Sequence, residues 1–213
     1  MGVKTERIKP AVPSSRSERT EITRSRFIQS AEKIFARDGF EAAKLEEIAA
    51  DAGYTRGAFY ANFDSKEDLF FALLEKEIST RISNLETEMG KVRDPEAKLT
   101  AMREFFLAKA RDRRWSLLSL EFKLFAVRHP EVRRRLATMH RRFVRPRVGI
   151  LEEVMKALGR ELPVSAFAMG ASLATLGNSL MLENMLDPAL MPQSDCLRIM
   201  SNFFDSLTSG TRT

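Results

Sequence analysis

Residues 45–66, LEEIAADAGYTRGAFYANFDSK, decide the fold because they predict two short helices joined by a tight turn. The first helix has one apolar face at helical spacing, formed by Leu45, Ile48, Ala49 and Ala52. Gly53 stands where the chain must turn, since glycine adopts a positive φ without steric cost. Thr55 follows as the expected N-cap of the second helix. This pattern is typical of a helix-turn-helix unit.

The second helix has one apolar side and leaves its other sides for contacts outside the chain. Phe59 and Phe63, four residues apart, are expected to be buried. The residues that remain outward are Arg56, Gly57, Tyr60, Ala61 and Asn62. Because the second helix of a helix-turn-helix unit enters the major groove, these residues predict a DNA-reading surface.

The sequence on both sides of this unit extends the pattern. Upstream, an apolar helical stripe consists of Phe27, Ile28, Ala31, Ile34 and Phe35. That helix is expected to end at Gly39. Downstream, Ser65 is the expected N-cap of a further helix, with Asp68 in place of the usual Glu or Gln.

The blocks SAEKIFARDGF, LEEIAADAGYTRGAFYANF and SKEDLF occur in the order and at the spacing found in one known family. Through them, residues 23–72 resemble the N-terminal domain of the tetracycline-repressor (TetR) family of bacterial transcriptional regulators. The resemblance implies an all-α fold, in which a three-helix helix-turn-helix domain joins a C-terminal helical bundle for ligand binding and dimerisation. In the rest of the chain only the length, the helicity and a Leu-Asp-Pro turn at residues 186–188 resemble the family.

The 213 residues are expected to divide into a disordered basic arm over 1–20, a DNA-binding domain over 21–66 and a helical ligand-binding and dimerisation domain over 67–213. The composition, 44% hydrophobic and 30% charged, is ordinary for a globular protein. The N-terminus lacks the apolar segment of a signal peptide, and Cys196 is the single cysteine. We therefore expect a cytoplasmic protein without an intrachain disulfide.

Beyond residue 64 the sequence predicts only helices, near 65–90, 95–111, 114–128, 130–158, 163–186 and 193–208. Pro146 is expected to kink or split one of them. Residues 162–182 carry no charge, but Ser, Thr and Asn lower their hydropathy and no polybasic flank is present. We therefore expect no contact with a membrane.

The net charge of +6 does not arise in the DNA-binding segment, because residues 1–68 contain equal numbers of basic and acidic residues. The basic part of that segment is its N-terminal end, which carries Lys4, Arg7, Lys9, Arg16 and Arg19. This end is either a solvated tail or an arm that contacts a groove or phosphates. A second cluster comprises Arg133, Arg134, Arg135, Arg141, Arg142, Arg145 and Arg147. It is either solvated surface or the border of an entrance for an anionic effector.

The resemblance implies that Arg56 reaches base edges and that its neighbours contact phosphates or the groove edge. The full set of expected DNA-binding residues is Thr23, Lys44, Thr55, Arg56, Gly57, Ala58, Tyr60, Asn62 and Lys66. Two positions depart from the family, because Lys44 replaces a common Thr cap and Glu46 stands where some members have a base-reading Arg. Glu46 is expected to repel phosphate unless it faces a cytosine amino group or points away.

The C-terminal half is rich in aromatic and Met side chains, which form either a plain core or a pocket for an apolar compound. The expected ligand-binding residues are Met102, Phe105, Phe106, Phe122, Phe125, His140, Phe143, Asn178 and Met181. The expected dimer contacts are small or apolar residues of the last two helices, Phe167, Gly170, Ala171, Ala174, Gly177, Ile199 and Phe203. A role in the core of one chain is the alternative for this second set.

The sequence carries no recognisable catalytic or metal-binding motif, so we expect neither an enzyme nor a cofactor. The expected function is a transcriptional regulator that binds double-stranded DNA as a homodimer. It is expected to repress from a palindromic operator until a small-molecule effector releases it. The alternatives are a ligand-independent DNA-binding dimer and a helical protein that binds small molecules without an operator.

Overall fold

The computed structural model describes residues 15–210, except for the side chains of residues 143–147. The described chain forms nine helices: α1 Arg16–Asp38, α2 Leu45–Ala52, α3 Arg56–Tyr60, α4 Lys66–Lys91, α5 Pro95–Ala110, α6 Arg113–Arg128, α7 Pro130–Ala157, α8 Ala166–Leu186 and α9 Gln193–Thr208. The predicted all-α fold is confirmed, and the predicted helices after residue 64 lie close to α4–α9.

Helix α1 begins earlier than expected. The Ser15 side chain accepts a hydrogen bond from the N–H of Glu18 at 3.1 Å and so caps the helix. Residues 16–20 therefore belong to α1 rather than to the predicted disordered arm. Residues 1–14, with Lys4, Arg7 and Lys9, lie outside the described residues.

Helix α7 is continuous through Pro146, so the predicted split of this helix does not occur. A proline removes a single backbone donor, and the helix extends well beyond it on both sides. The side chains of Arg145 and Arg147 lie outside the described residues.

The apolar core consists of two clusters that share α4. The first cluster unites the three N-terminal helices with the first half of α4 and with parts of α6 and α7. The second cluster unites the second half of α4 with α5, α7, α8 and α9. Leu69 and Leu73 of α4 belong to the first cluster, and Leu85 and Met89 belong to the second. The predicted domain boundary between residues 66 and 67 therefore falls within the first cluster, in which the N-terminal helices and the first half of α4 pack together.

Aromatic rings join the N-terminal helices to α6. The Phe40 ring lies in the turn after α1, and its centroid is 5.2 Å from those of Phe70 and Phe122. Phe70 and Phe122 stack on each other at 4.0 Å. All three rings are almost completely buried.

A hydrogen bond from the backbone to a side chain reinforces this junction. Glu121 of α6 accepts from the N–H of Phe40 at 2.9 Å. Gly39 has a φ of 81°, and a Cβ atom at this position would lie 2.7 Å from a Glu121 carboxylate oxygen. The positive φ therefore favours glycine, and a side chain at this position would displace the Glu121 carboxylate from its hydrogen bond to Phe40.

We expect Phe122→Ala to lower the free energy of unfolding by about 3–5 kcal/mol, because the substitution leaves a cavity where 1% of the residue is exposed. The matched control is Leu124→Ala on the same helix. Leu124 is 59% exposed, so its loss is expected to change stability by only about 0.5 kcal/mol. Urea unfolding followed by circular dichroism measures both values. Equal effects of the two substitutions would contradict the packing described for α6.

Candidate DNA-reading surface and internal cavity

The turn between α2 and α3 has the predicted geometry. Gly53 adopts the left-handed conformation, with φ 80° and ψ 28°. The N–H groups of Gly53 and Tyr54 donate to carbonyls in the last turn of α2. The Thr55 hydroxyl accepts from the N–H of Ala58 at 3.2 Å and caps α3. Lys44 occupies the N-cap position of α2 but makes no capping hydrogen bond with its side chain.

Helix α3 buries one side and exposes the other, as the sequence predicted. Phe59 and Phe63 are buried against Phe27 of α1. Arg56 is exposed, and Tyr60 is 49% exposed. The Arg56 guanidinium lies over the Tyr60 ring, 5.6 Å from its centroid. These two side chains are therefore accessible to a ligand outside the chain.

Glu46 has a partner that the sequence did not indicate. Its carboxylate lies 2.7 Å from Nη1 of Arg56, so α2 and α3 are joined by an ion pair at the surface. Both side chains are exposed, and such a pair contributes only about 0–1 kcal/mol to stability. The expected repulsion of phosphate by Glu46 is thus reduced by the positive charge beside it.

Thr23 and Asn62 are less available than Arg56. The Thr23 hydroxyl donates to the carbonyl of Arg19 at 2.9 Å and lies 3.2 Å from the Tyr54 hydroxyl. The Asn62 side chain is partly buried, and its amide nitrogen donates to the carbonyl of Ala58 at 2.8 Å. To contact a phosphate, the Thr23 hydroxyl would have to give up its present donor hydrogen bond, whereas Asn62 has a second N–H on its side-chain amide.

Lys66 lies in a half-buried position at the start of α4. Its ammonium group donates to the carbonyls of Glu41 at 2.8 Å and Ala43 at 3.1 Å, in the loop before α2. Burial lowers the pKa of Lys66, although the Glu67 and Glu41 carboxylates act in the opposite direction. In the structure, Lys66 therefore fixes the loop that orients the helix-turn-helix unit.

The C-terminal helices surround a cavity of about 240 Å³. Six of the predicted ligand-binding residues line it: Met102, Phe105, Phe106, Phe122, His140 and Asn178. Phe125 and Met181 do not. Phe125 packs on Phe40 and His129 instead, and Met181 is buried away from the lining. The side chain of Phe143 lies outside the described residues.

Several small residues of α8 line the cavity of the same chain. Five of the residues predicted as dimer contacts line the cavity: Phe167, Gly170, Ala171, Ala174 and Gly177. Gly177 is buried against α5 and α9 of the same chain, where a Cβ atom would lie 3.3 Å from Cβ of Ala110 and 3.4 Å from the Met200 methyl group. Phe203 is partly buried against the second core cluster, whereas Ile199 is exposed.

One face of α8 remains exposed. Its positions recur at helical spacing and comprise Phe167, Ala171, Thr175, Leu182 and Leu186. Ile199 lies on the neighbouring helix α9 and is also exposed. We call these six residues the α8–α9 face. Phe167, Ala171 and Thr175 also line the cavity, so this part of the face borders its opening.

The ionisable side chains of the cavity lining are all basic. They are Lys109, Lys123 and His140, and none of the described residues in the lining is Asp or Glu. Burial lowers the pKa of Lys123. Burial also lowers the pKa of His140, and the positive charges of Lys123 and Lys109 lower it further. The cavity therefore combines apolar walls with positive charge.

Sequence reasoning missed Lys123 and Ser119 in this lining. A lysine within LEFKLF resembles a surface residue beside a buried stripe. The available signal was a polar row at helical spacing in α6, formed by Ser116, Ser119 and Lys123. Asn178 of α8 donates to the Ser119 hydroxyl at 3.0 Å, which confirms that this row faces inward.

Within the described residues, no group of three or more His, Cys, Asp or Glu side chains is arranged to hold a metal ion. None of the helices in that part of the chain combines the length and the apolar character that a bilayer crossing requires.

Residues 27–73 match the model of the family described as bacterial regulatory proteins, tetR family. The chain is 35% identical over 70 residues to the HTH-type transcriptional regulator YerO of Bacillus subtilis, a match that covers 32% of this chain and 24% of YerO. It is 29% identical over 83 residues to the HTH-type transcriptional activator FasR of Mycolicibacterium smegmatis, covering 39% of this chain and 38% of FasR. These matches thus span well under half the length of either relative.

The whole fold has counterparts among solved structures. The transcriptional regulator FadR of Bacillus subtilis, in complex with stearoyl-CoA, superimposes with a TM-score of 0.68. The superposition covers 88% of this chain and 98% of that chain, with 18% sequence identity. At this identity the likeness concerns the fold.

We expect Lys123→Met to raise the melting temperature at neutral pH, because it removes a partly buried positive charge. A gain of 1 kcal/mol corresponds to roughly 2–4 °C for a chain of this size. The gain should shrink as the pH rises through the lowered pKa of Lys123. The wild-type lysine is then neutral when folded but still protonated when unfolded, so wild-type stability rises with pH.

Thermal unfolding at a series of pH values, followed by circular dichroism, measures this difference. The control is Lys156→Met, because Lys156 is exposed on α7 and is expected to change stability by at most about 0.5 kcal/mol. A Lys123→Met protein that melts below the wild type at neutral pH would show that the lysine stabilises the fold.

Proposed function

We propose that this chain, which belongs to the TetR family by its N-terminal domain, is a sequence-specific transcriptional regulator. In this proposal it represses from a palindromic operator and is released by a small-molecule effector. The observation that carries the proposal is the outward position of Arg56 and Tyr60 on a capped α3, within the segment that matches the family. Such a regulator acts on chromosomal DNA, so we place it in the bacterial cytoplasm.

Arg56 is the residue that we propose for base recognition. An arginine can form two parallel hydrogen bonds to guanine, and each such pair discriminates against a wrong base by about 1–3 kcal/mol. In the structure Glu46 pairs with Arg56 at the surface. On binding DNA, Arg56 would exchange this ion pair for hydrogen bonds to the base. Five further residues lie on or beside the same surface, and we propose that they contact the groove edge or phosphates: Lys44, Thr55, Gly57, Ala58 and Tyr60.

A homodimer supports this role because α3 is too short to read more than a few base pairs. Two copies related by a twofold axis place their reading helices about 34–36 Å apart on successive turns of the duplex. We propose the α8–α9 face as the surface of association, since its apolar residues are exposed in the single chain. Of the predicted dimer contacts, this face retains Phe167, Ala171 and Ile199, and it adds Thr175, Leu182 and Leu186.

The cavity supports control by a small molecule. Phe122 lines the cavity and also stacks on Phe70 in the core that includes the N-terminal helices. A ligand in the cavity therefore acts on the junction that orients the reading surface. The ligand can lower the affinity for the operator by at most the difference between its own binding free energies for the two conformations. A protein of the same fold is described in complex with stearoyl-CoA, which fits such a role for the helical domain.

Selection of bound duplexes from a random pool tests the proposed recognition. We expect the wild type to enrich an inverted repeat, and Arg56→Ala to lose about fivefold or more of the discrimination at one base pair of each half-site. The control is Arg93→Ala, which removes an exposed arginine outside the DNA-binding domain. This variant should enrich the same sequence as the wild type. Fluorescence anisotropy at a fixed salt concentration quantifies the affinities. Equal discrimination by Arg56→Ala would remove Arg56 from base reading.

Sedimentation equilibrium tests the proposed dimer. We expect the wild type to be a dimer and Ile199→Asp to shift it towards the monomer, because an unpaired carboxylate in an interface costs several kcal/mol. The control is Leu124→Asp on α6. Leu124 is 59% exposed, compared with 38% for Ile199, yet lies outside the proposed interface. A wild type that stays monomeric on its preferred duplex would refute the dimer, and dissociation by Leu124→Asp alone would place the interface on α6.

A further inference from the structure

The cavity is lined by basic side chains, one of which, Lys123, is partly buried. Its ionisable lining groups are Lys109, Lys123 and His140, and no carboxylate of the described residues lies among them. Removing a charge from water is costly unless an opposite charge or hydrogen-bonding groups replace the solvent. A ligand that brings a negative charge would offset this cost.

Lys123 faces the cavity without a partner among the described side chains. Within the described part of the chain it makes no salt bridge and no hydrogen bond. Lys66, the other partly buried lysine with a lowered pKa, instead donates to two backbone carbonyls. The comparison shows that this fold satisfies one such ammonium group internally and leaves the other facing a cavity.

Polar groups from three helices stand in the same lining as Lys123. His140 comes from α7 and Asn178 from α8, while Ser119 lies one turn before Lys123 on α6. Asn178 already donates to Ser119, which fixes the orientation of its side chain. His140 makes no hydrogen bond to another described residue, so it can interact with a ligand.

The rest of the lining is apolar and aromatic, and includes Met102, Phe105, Phe106, Trp115, Phe122 and Leu173. The volume of about 240 Å³ lies below the roughly 300–1,000 Å³ of sites for drug-sized ligands. A ligand that fits is therefore small, with an apolar body and a charged head.

We propose that the cavity binds a small amphipathic monocarboxylate, whose head pairs with the Lys123 ammonium group and hydrogen-bonds to His140, while its apolar body lies among the aromatic side chains. This inference rests on the proposed function, since it names the class of effector for the same regulator. Charge-assisted hydrogen bonds are stronger than neutral ones, and low solvent exposure strengthens them. The carboxylate therefore gives both affinity and selectivity against uncharged analogues.

Three probes with the same apolar chain and different heads test the proposal: octanoate, octan-1-ol and protonated octylamine. Equilibrium dialysis with labelled probes at neutral pH gives the three dissociation constants for the full chain. We expect octanoate to bind at least about tenfold more tightly than octan-1-ol. The cationic probe should bind most weakly, because Lys109 and Lys123 repel it.

Variants locate the charge that produces the preference. Lys123→Met should weaken octanoate binding about tenfold and leave octan-1-ol within a factor of about two. Lys123→Gln, which keeps a polar side chain, should weaken octanoate in the same way and serves if the Met variant does not fold. Lys156→Met removes an exposed lysine outside the lining and should leave all three affinities unchanged.

Equal binding of octanoate and octan-1-ol by the wild type would overturn the proposal. So would absence of binding by all three probes, or an undiminished preference for octanoate in both Lys123 variants. Selection of DNA duplexes without any probe separates this inference from the proposed function. Operator recognition without a carboxylate preference refutes only the ligand class, whereas octanoate binding by a protein without sequence preference on DNA refutes the regulator.

Discussion

The contact on which the structure depends is the edge-on packing of Phe40 against the stacked rings of Phe70 and Phe122. Phe40 belongs to the turn that sets the direction of the helix-turn-helix unit, while Phe122 belongs to a helix of the C-terminal half. Because all three rings are excluded from water, the two halves lose apolar burial when they separate. Apolar packing does not by itself fix the relative position of the rings. The hydrogen bond from the Phe40 N–H to Glu121 is directional and fixes the turn relative to α6.

Helix α6 connects this junction to the cavity within three consecutive residues. Glu121 holds the turn after α1, Phe122 belongs to both the junction and the cavity wall, and Lys123 faces the cavity. A ligand that draws Lys123 inward therefore acts on the helix that positions the DNA-reading surface. Protein cores are close-packed, so a shift of α6 requires a second arrangement of these rings rather than a local deformation.

The parts of the structure that follow from local chemistry were predictable, whereas the parts that depend on distant partners were not. Gly53, Thr55 and the spacing of Phe59 and Phe63 define the helix-turn-helix unit from neighbouring residues alone. The ion pair of Glu46 with Arg56 depends on how α2 crosses α3, which periodicity does not reveal.

Helix α8 shows the limit of pattern reasoning most clearly, because it is apolar on nearly all sides. A helix of this kind has no single hydrophobic face from which its neighbours can be inferred. Small residues fit a close approach by any helix, so the sequence alone could not distinguish a second chain from α5 and α9 of the same chain. The structure places Gly177 against Ala110 and Met200, which leaves the Phe167–Leu182 side exposed. Lys123 presents a different case, because its sequence neighbours suggest a surface residue whereas the structure places it in a largely apolar lining. A charge retained at such a position is a local conflict of the kind expected where binding, rather than stability, determines the residue.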